Sequence, residues 1–156
     1  MRLWSWKLVN EGLLPRSQLI AQWRELCSIF KKQDKHILIN YIYEYDKSEL
    51  LRYTTLVLAE MGKRDYKINS YENLQNYFEL SDAELDDYLQ SVKEMSDLKK
   101  IGKITISNDI FPRHHTDRYL NQCFHNLSEK YDRNQSDFSR ELYESLLQFI
   151  CNEENK

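Results

Sequence analysis

The sequence predicts an all-α protein, and three observations predict it. Turn-forming residues are scarce: 3 glycines and 2 prolines in 156 residues are too few for the many tight turns of a sandwich or barrel. Apolar residues recur at three- and four-residue spacing along most of the chain. Capping residues stand where several of those periodic stretches begin. With no internal repeat, linker or low-complexity tract, the expected architecture is one compact helical bundle with long loops over residues 1–156.

The elements follow in order. The opening "MRLWSWKL" places Leu3, Trp4, Trp6 and Leu8 in partial alternation, enough to pin the N-terminal segment to the body. Pro15 breaks that segment. Leu19, Ile20, Trp23, Leu26, Cys27 and Phe30 then predict a helix over roughly 17–33, with Ser17 as its N-cap and Trp23 in the core. The run "HILINYIYEY" is rich in β-branched and aromatic residues but has no evident partner strand, so a buried loop or helix is expected. A long helix begins at Asp46, with Glu49 at capping-box spacing, and Gly62 reads as its stop. Ser81 and Glu84 predict a second capping box at the head of a helix over 81–97. "KKIGKITISND" reads as a loop or hairpin. After Pro112, a helix puts Leu120, Cys123, Leu127 and Tyr131 on one face, and a last helix is expected over 136–151.

Composition narrows the functional classes. Cys27, Cys123 and Cys151 form no CxxC pair, and an odd cysteine count with no secretory leader fits a reducing, cytoplasmic setting. The first apolar run is too short for a membrane span, so no membrane association is expected. A formal net charge of −3 argues against indiscriminate nucleic-acid binding. The charge is unevenly placed, however. Residues 1–70 carry 12 Lys/Arg against 8 Asp/Glu, and residues 71–156 carry 10 against 17. The N-terminal half can therefore face phosphate while the acidic remainder faces water.

On the helix over 17–33, Glu25 points about 200° from the middle of the apolar stripe. It shares that face with Gln18, Ala21, Ser28 and Lys32, and Arg24 lies on one flank. A glutamate there is ordinarily a solvated residue. The pinned N-terminus gives it a second reading. α-Amines are less basic than lysine side chains, so more of the population carries a free lone pair at neutral pH. Such an amine attacks carbonyl and sugar anomeric carbons to give Schiff bases. It needs a carboxylate nearby to move protons, and cations to hold phosphate.

The N-terminal blocks resemble a known family. "MRL" at the start, "LVNE" at 8–11, "LIAQWREL..IF" at 19–30 and "EYDKSELLRY...LVLAEMGKRDYKI" at 44–68 are similar to the pyrimidine-dimer DNA glycosylases, which include phage endonuclease V. A fainter echo, "IFPRHHTDRYLNQCFHNLSEKY", covers 110–131. The resemblance implies a small helical DNA-repair glycosylase and abasic-site lyase. Met1 would supply the nucleophilic amine and Glu25 the catalytic carboxylate, with Arg2 and Arg24 beside it. Gln18 stands near the place of a histidine in the phage type and is assigned a DNA contact, together with Lys31, Lys32 and Lys47. The chain departs from the phage type at four points: Arg follows Met1 in place of Thr, Ser17 and Gln18 are the nearest equivalents of a histidine before the Glu-bearing helix, Ser28 replaces an arginine, and the basic aromatic tail has no counterpart.

Other constellations carry less. Arg113, His114, His115 and Arg118 near a helix start are candidate phosphate contacts. His114, His115 and Asp117 are too closely spaced to face one another on a helix, so no metal and no cofactor are expected. "YIYEY" offers either a stacking surface or core packing, and Cys27 on the apolar stripe is expected to be buried and inert. The expected partner is damaged double-stranded DNA, bound by a monomer. The alternative is a catalytically silent helical module that binds nucleic acid or protein.

Overall fold

The computed structural model describes residues 1–103 and 108–156. Among them are seven α-helices: α1 Trp6–Asn10, α2 Arg16–Lys32, α3 Lys47–Lys63, α4 Glu72–Tyr77, α5 Asp82–Lys100, α6 Asp117–Asp132 and α7 Arg140–Glu154. No strand occurs among the described residues, so the fold is all-α as expected. The stretch "HILINYIYEY" is a turn running into a 3-10 helix, Asn40–Glu44. It buries Ile39 and Ile42. Its tyrosines are half-buried, with Tyr41 and Tyr45 packed edge-on against Phe111 and Tyr41 stacked on His114, so the core reading holds over an open stacking surface.

The helix ends show which local signals decide structure. Asp46 caps α3 by accepting the Ser48 N–H at 2.9 Å. Ser81 and Glu84 complete the capping box of α5 in both directions. Thr116 and Ser139 cap α6 and α7, each side chain accepting the N–H three residues on. The last helix therefore starts at Arg140, four residues later than expected, because Ser139 takes the cap and Phe138 is buried ahead of it.

Four expectations need correction. Ser17 is not the cap of α2. Pro15 occupies that position, and the Ser17 N–H donates instead to Asp137 from the α6–α7 connection. A proline at a helix start loses nothing for want of an N–H, and the distant carboxylate satisfies the exposed donor. Glu49 does not close a capping box. It pairs with Arg52 at 2.8 Å and accepts the Phe111 N–H at 3.2 Å. Gly62 does not stop α3. The helix runs through it, and the left-handed turn falls at Asp65, where the Tyr66 N–H reaches Met61 O at 2.9 Å. A Cβ on Gly62 would lie 2.4 Å from Ser96 Oγ, so this glycine exists to let α5 approach α3. α4 has no counterpart in the sequence reading. Of "KKIGKITISND", Lys99 and Lys100 belong to α5, and residues 104–107 lie outside the described residues.

A buried ionic cluster ties the N-terminal loops to the bundle. Glu60 on α3 pairs with Lys99 of α5 at 3.1 Å and with Arg64 at 2.8 Å. Lys99 Nζ also donates to Asn10 O at 2.9 Å, and Arg64 donates to Leu14 O at 2.9 Å. Gly12, at φ 69, passes so close that a Cβ there would sit 3.0 Å from Glu60 Oε2. A buried charge survives only when its partners are in place, so this cluster fixes the path of residues 10–14.

Candidate active site

Residues 2–6 are held by side chains from α2, α3 and α6 and from the loop ahead of α6. Gln22 of α2 is 1 % exposed, and its carboxamide works as a two-sided clamp. Its Oε1 accepts the Trp4 N–H at 2.8 Å, and its Nε2 donates to Arg2 O at 3.0 Å and to Glu25 Oε2 at 3.2 Å. Tyr53 of α3 reaches both Trp4 O, at 2.7 Å, and Gln22 Oε1, at 2.9 Å. Tyr119 of α6 donates to Leu3 O. His115 Nδ1 accepts the Trp6 N–H at 3.1 Å, while its Nε2 lies 2.6 Å from the Tyr41 hydroxyl. Leu3, Trp4 and Trp6 are buried. The N-terminal segment is thus fixed from its second residue.

Met1 itself is exposed, at the mouth of a pocket of about 220 Å³ lined by Met1, Arg2, Trp4, Gln18, Glu25, Asn126 and Lys130. The Arg2 N–H donates to Glu25 Oε2 at 3.2 Å, and the Arg2 guanidinium lies over the Trp4 ring at 5.3 Å. Half-burial pushes the Glu25 carboxyl above its ordinary value. The Arg2 N–H, the nearby α-amine charge, the Gln22 amide and the Arg2 guanidinium oppose that push. No direct ion pair joins the Met1 amine to Glu25 among the described residues. Both residues line the same pocket, and the charge of the α-amine acts on the Glu25 carboxyl.

Met1, Arg2, Gln18 and Glu25 therefore come together. Most of the other residues singled out from sequence do not. Arg24 turns away from Glu25 and lines a separate groove of about 580 Å³ with Arg16, Trp23, Cys27, Tyr66 and Lys67. Trp23 and Cys27, both expected in the core, are only half-buried there, and burial pushes the Cys27 thiol up to about 11. Lys31 and Lys32 are exposed in the last turn of α2. Lys47 is engaged with α4, its ammonium 4.3 Å from the Tyr77 ring centre. Arg113 covers the Tyr45 ring at 4.9 Å, and Arg118 is exposed on the first turn of α6. His114 stacks on Tyr41 and lies 3.4 Å from Glu44. His115 is buried with both ring nitrogens engaged, and burial holds it down to about 3, so it is a core residue and cannot reach phosphate.

The sequence reading missed three members of the site. Gln22 carries a signal in retrospect: it is a polar residue set between Leu19 and Leu26 on the apolar stripe. Asn126 and Lys130 lie in the fainter C-terminal echo and reach the pocket only through packing of α6. No group of three His, Cys, Asp or Glu residues placed to hold a metal ion occurs among the described residues. No helix among them is long and apolar enough to cross a membrane.

Residues 1–74 match the pyrimidine dimer DNA glycosylase family. The match agrees with the resemblance read from the sequence. It takes in Met1, Arg2, Gln18, Gln22 and Glu25, so most of the pocket falls inside the glycosylase-like part of the chain. Asn126 and Lys130 fall outside it. No curated protein and no solved structure gives a significant match.

Proposed function

We propose that the protein is a DNA glycosylase and abasic-site lyase acting on damaged duplex DNA of the pyrimidine-dimer type. The observation that carries this reading is the convergence of the Met1 amine, Arg2 and the Glu25 carboxylate on one small pocket, with the amine's segment locked by Gln22. A fixed amine needs no reorganisation to attack, which is what preorganised nucleophiles contribute.

The uncharged Met1 nitrogen attacks C1′ of the damaged nucleotide. A nitrogen–C1′ bond forms, the C1′–base bond breaks, and the base leaves with the bonding pair and gains a proton. One amine proton passes to the departing base; the C1′–O4′ bond then breaks with its pair on O4′, which takes a proton from water, while the nitrogen lone pair closes a protonated imine at C1′. Glu25, in its carboxylate form, then takes a proton from C2′. The electron pair moves into a C2′–C3′ double bond and the 3′ phosphate departs, cutting the strand. Water hydrolyses the imine and returns the amine. In this reading Arg2 and Lys130 bind the flanking phosphates, and Asn126 and Gln18 hydrogen-bond sugar or phosphate oxygens.

Incision assays on abasic-site and thymine-dimer duplexes test the proposal, run in EDTA and with borohydride present. Strand cleavage in EDTA, with a covalent protein–DNA adduct mapping to Met1, is expected. Tight binding without incision on either duplex would favour the silent nucleic-acid-binding module instead.

A further inference from the structure

A blunt apolar tip stands beside the candidate pocket. Ile37 is 86 % exposed and Leu38 46 %, on the connection between α2 and the 3-10 helix. Single exposed aliphatic residues are ordinary. What distinguishes this pair is how it is held and what surrounds it.

The tip is braced on both sides. Gln33 turns the chain out of α2 at φ 50, with its N–H on Ile29 O at 2.8 Å. Ser28 Oγ donates to the Asp34 carboxylate, and the Tyr43 hydroxyl donates to the Asp34 carbonyl. The His36 carbonyl accepts the N–H groups of Ile39 and Asn40 at 2.8 and 2.9 Å, and Asn40 Oδ1 accepts the His36 N–H at 2.8 Å. Ile39 then enters the core. Ile37 and Leu38 project from a closed turn, not from a slack loop.

The tip also has a definite neighbour. Leu38 lines a recess of about 310 Å³ with Arg2, Tyr119, Gln122, His125 and Asn126. Arg2 and Asn126 belong equally to the pocket of Met1 and Glu25, so the recess and the pocket adjoin. The charge around the tip is basic. Between Leu26 and Tyr43 the sole acidic residue is Asp34, held by Ser28, while Lys31, Lys32 and Lys35 are exposed. A rigid aliphatic point collared by lysines suits nucleic acid: the cations take phosphates and the aliphatic groups take the space between bases.

We propose that Ile37 and Leu38 form a wedge that enters the base stack beside the lesion and holds the duplex open while the damaged nucleotide meets the Met1 amine. This rests on the glycosylase and lyase reading above. It adds the element that separates the stacked bases.

The test combines Ile37→Ser and Leu38→Ser in the full chain. Both side chains are exposed, so the melting temperature should not change. Two substrates are compared: an abasic site in a duplex, and the same strand alone. Duplex incision should fall at least about tenfold, while the single strand, which has no paired stack to open, should be cut at the native rate. In parallel, 2-aminopurine beside the abasic site of the duplex should brighten when the native protein binds and stay dim with the double variant. The fluorescence needs no cleavage, so it reads the wedge separately from the chemistry. Native protein that brightens the probe but cuts neither substrate would sink the lyase reading and leave the wedge standing. The wedge is overturned if the variant cuts both substrates at native rates, loses both equally, or brightens the probe as the native protein does. It is also overturned if the native protein leaves the probe dim.

Discussion

Adding one uncleaved glycine ahead of Met1 should abolish most incision without unfolding the protein. The expected size follows from the clamp. Arg2 O and the Trp4 N–H are fixed on the Gln22 amide at 3.0 and 2.8 Å, Trp4 O is bound by Tyr53 at 2.7 Å, and Leu3 is buried. The segment therefore cannot slide back to absorb the insertion. The new amine is displaced by up to one residue's reach, about 3.5 Å. Near-attack geometry tolerates roughly 1 Å, and a misplacement of that order already costs about 10²-fold. Incision of an abasic duplex should thus fall by at least about 10²-fold, and borohydride trapping should fall with it. The melting temperature and DNA affinity should stay close to native, because every anchoring bond from residue 2 onward survives. An extended protein that incises at the native rate and still traps would refute the amine mechanism. An extended protein that fails to fold would refute the claim that anchoring starts at residue 2.

Glu25→Gln should abolish incision while DNA affinity holds or rises, measured by gel incision and fluorescence anisotropy. Because burial raises the Glu25 carboxyl above its unfolded value, the charged form lowers stability once pH exceeds that raised value, so Glu25→Gln should melt at or above the native temperature at pH 7. Lys130→Ala should weaken binding at low salt and reduce the slope of log affinity against log salt by about one, whereas Lys47→Ala, engaged with Tyr77, should change that slope far less. His115 is held down to about 3, so the unfolded chain binds a proton that the folded protein refuses below about pH 6.5. Stability should fall with acidification from there toward pH 3, by up to about tenfold in the folding equilibrium per pH unit. His115→Asn, which keeps an acceptor for the Trp6 N–H, should flatten that profile in urea titrations at several pH values. An unchanged slope would show that other groups carry the acid sensitivity.

The sequence exposes what is decided locally and hides what distant residues decide. Asp46 and Ser81 announce the starts of α3 and α5 because a cap bonds backbone two or three residues away. Gly62 is misread because its purpose is set by Ser96, on another helix, and Ser17 because Asp137 supplies what a local cap would. α4 spans six residues, too few for a period to show. In the site, Glu25 is legible from helical phase and Met1 from the anchored aromatic start. Arg24 lines a different groove from Glu25 because adjacency in sequence puts two side chains about 100° apart on a helix. Lys130 is invisible because only the packing of α6 brings it to the amine.

The contacts that hold the N-terminal segment also set how the chain can be divided. The stretch that matches the glycosylase family ends at residue 74, yet several of the partners of its opening residues lie beyond it. Trp6 is bonded by His115, Leu3 by Tyr119, Asn10 by Lys99, Ser17 by Asp137, and Lys7 by Glu153 at 2.9 Å. A fragment cut after residue 74 would keep Met1, Arg2, Gln18 and Glu25 but lose Asn126, Lys130 and all five of these partners. Transplanting the first half onto a different second half would succeed only if the new half presented an imidazole, a phenol, an ammonium and two carboxylates at the same places. The unit that a designer could move is therefore the whole set of helices that closes around the first few residues.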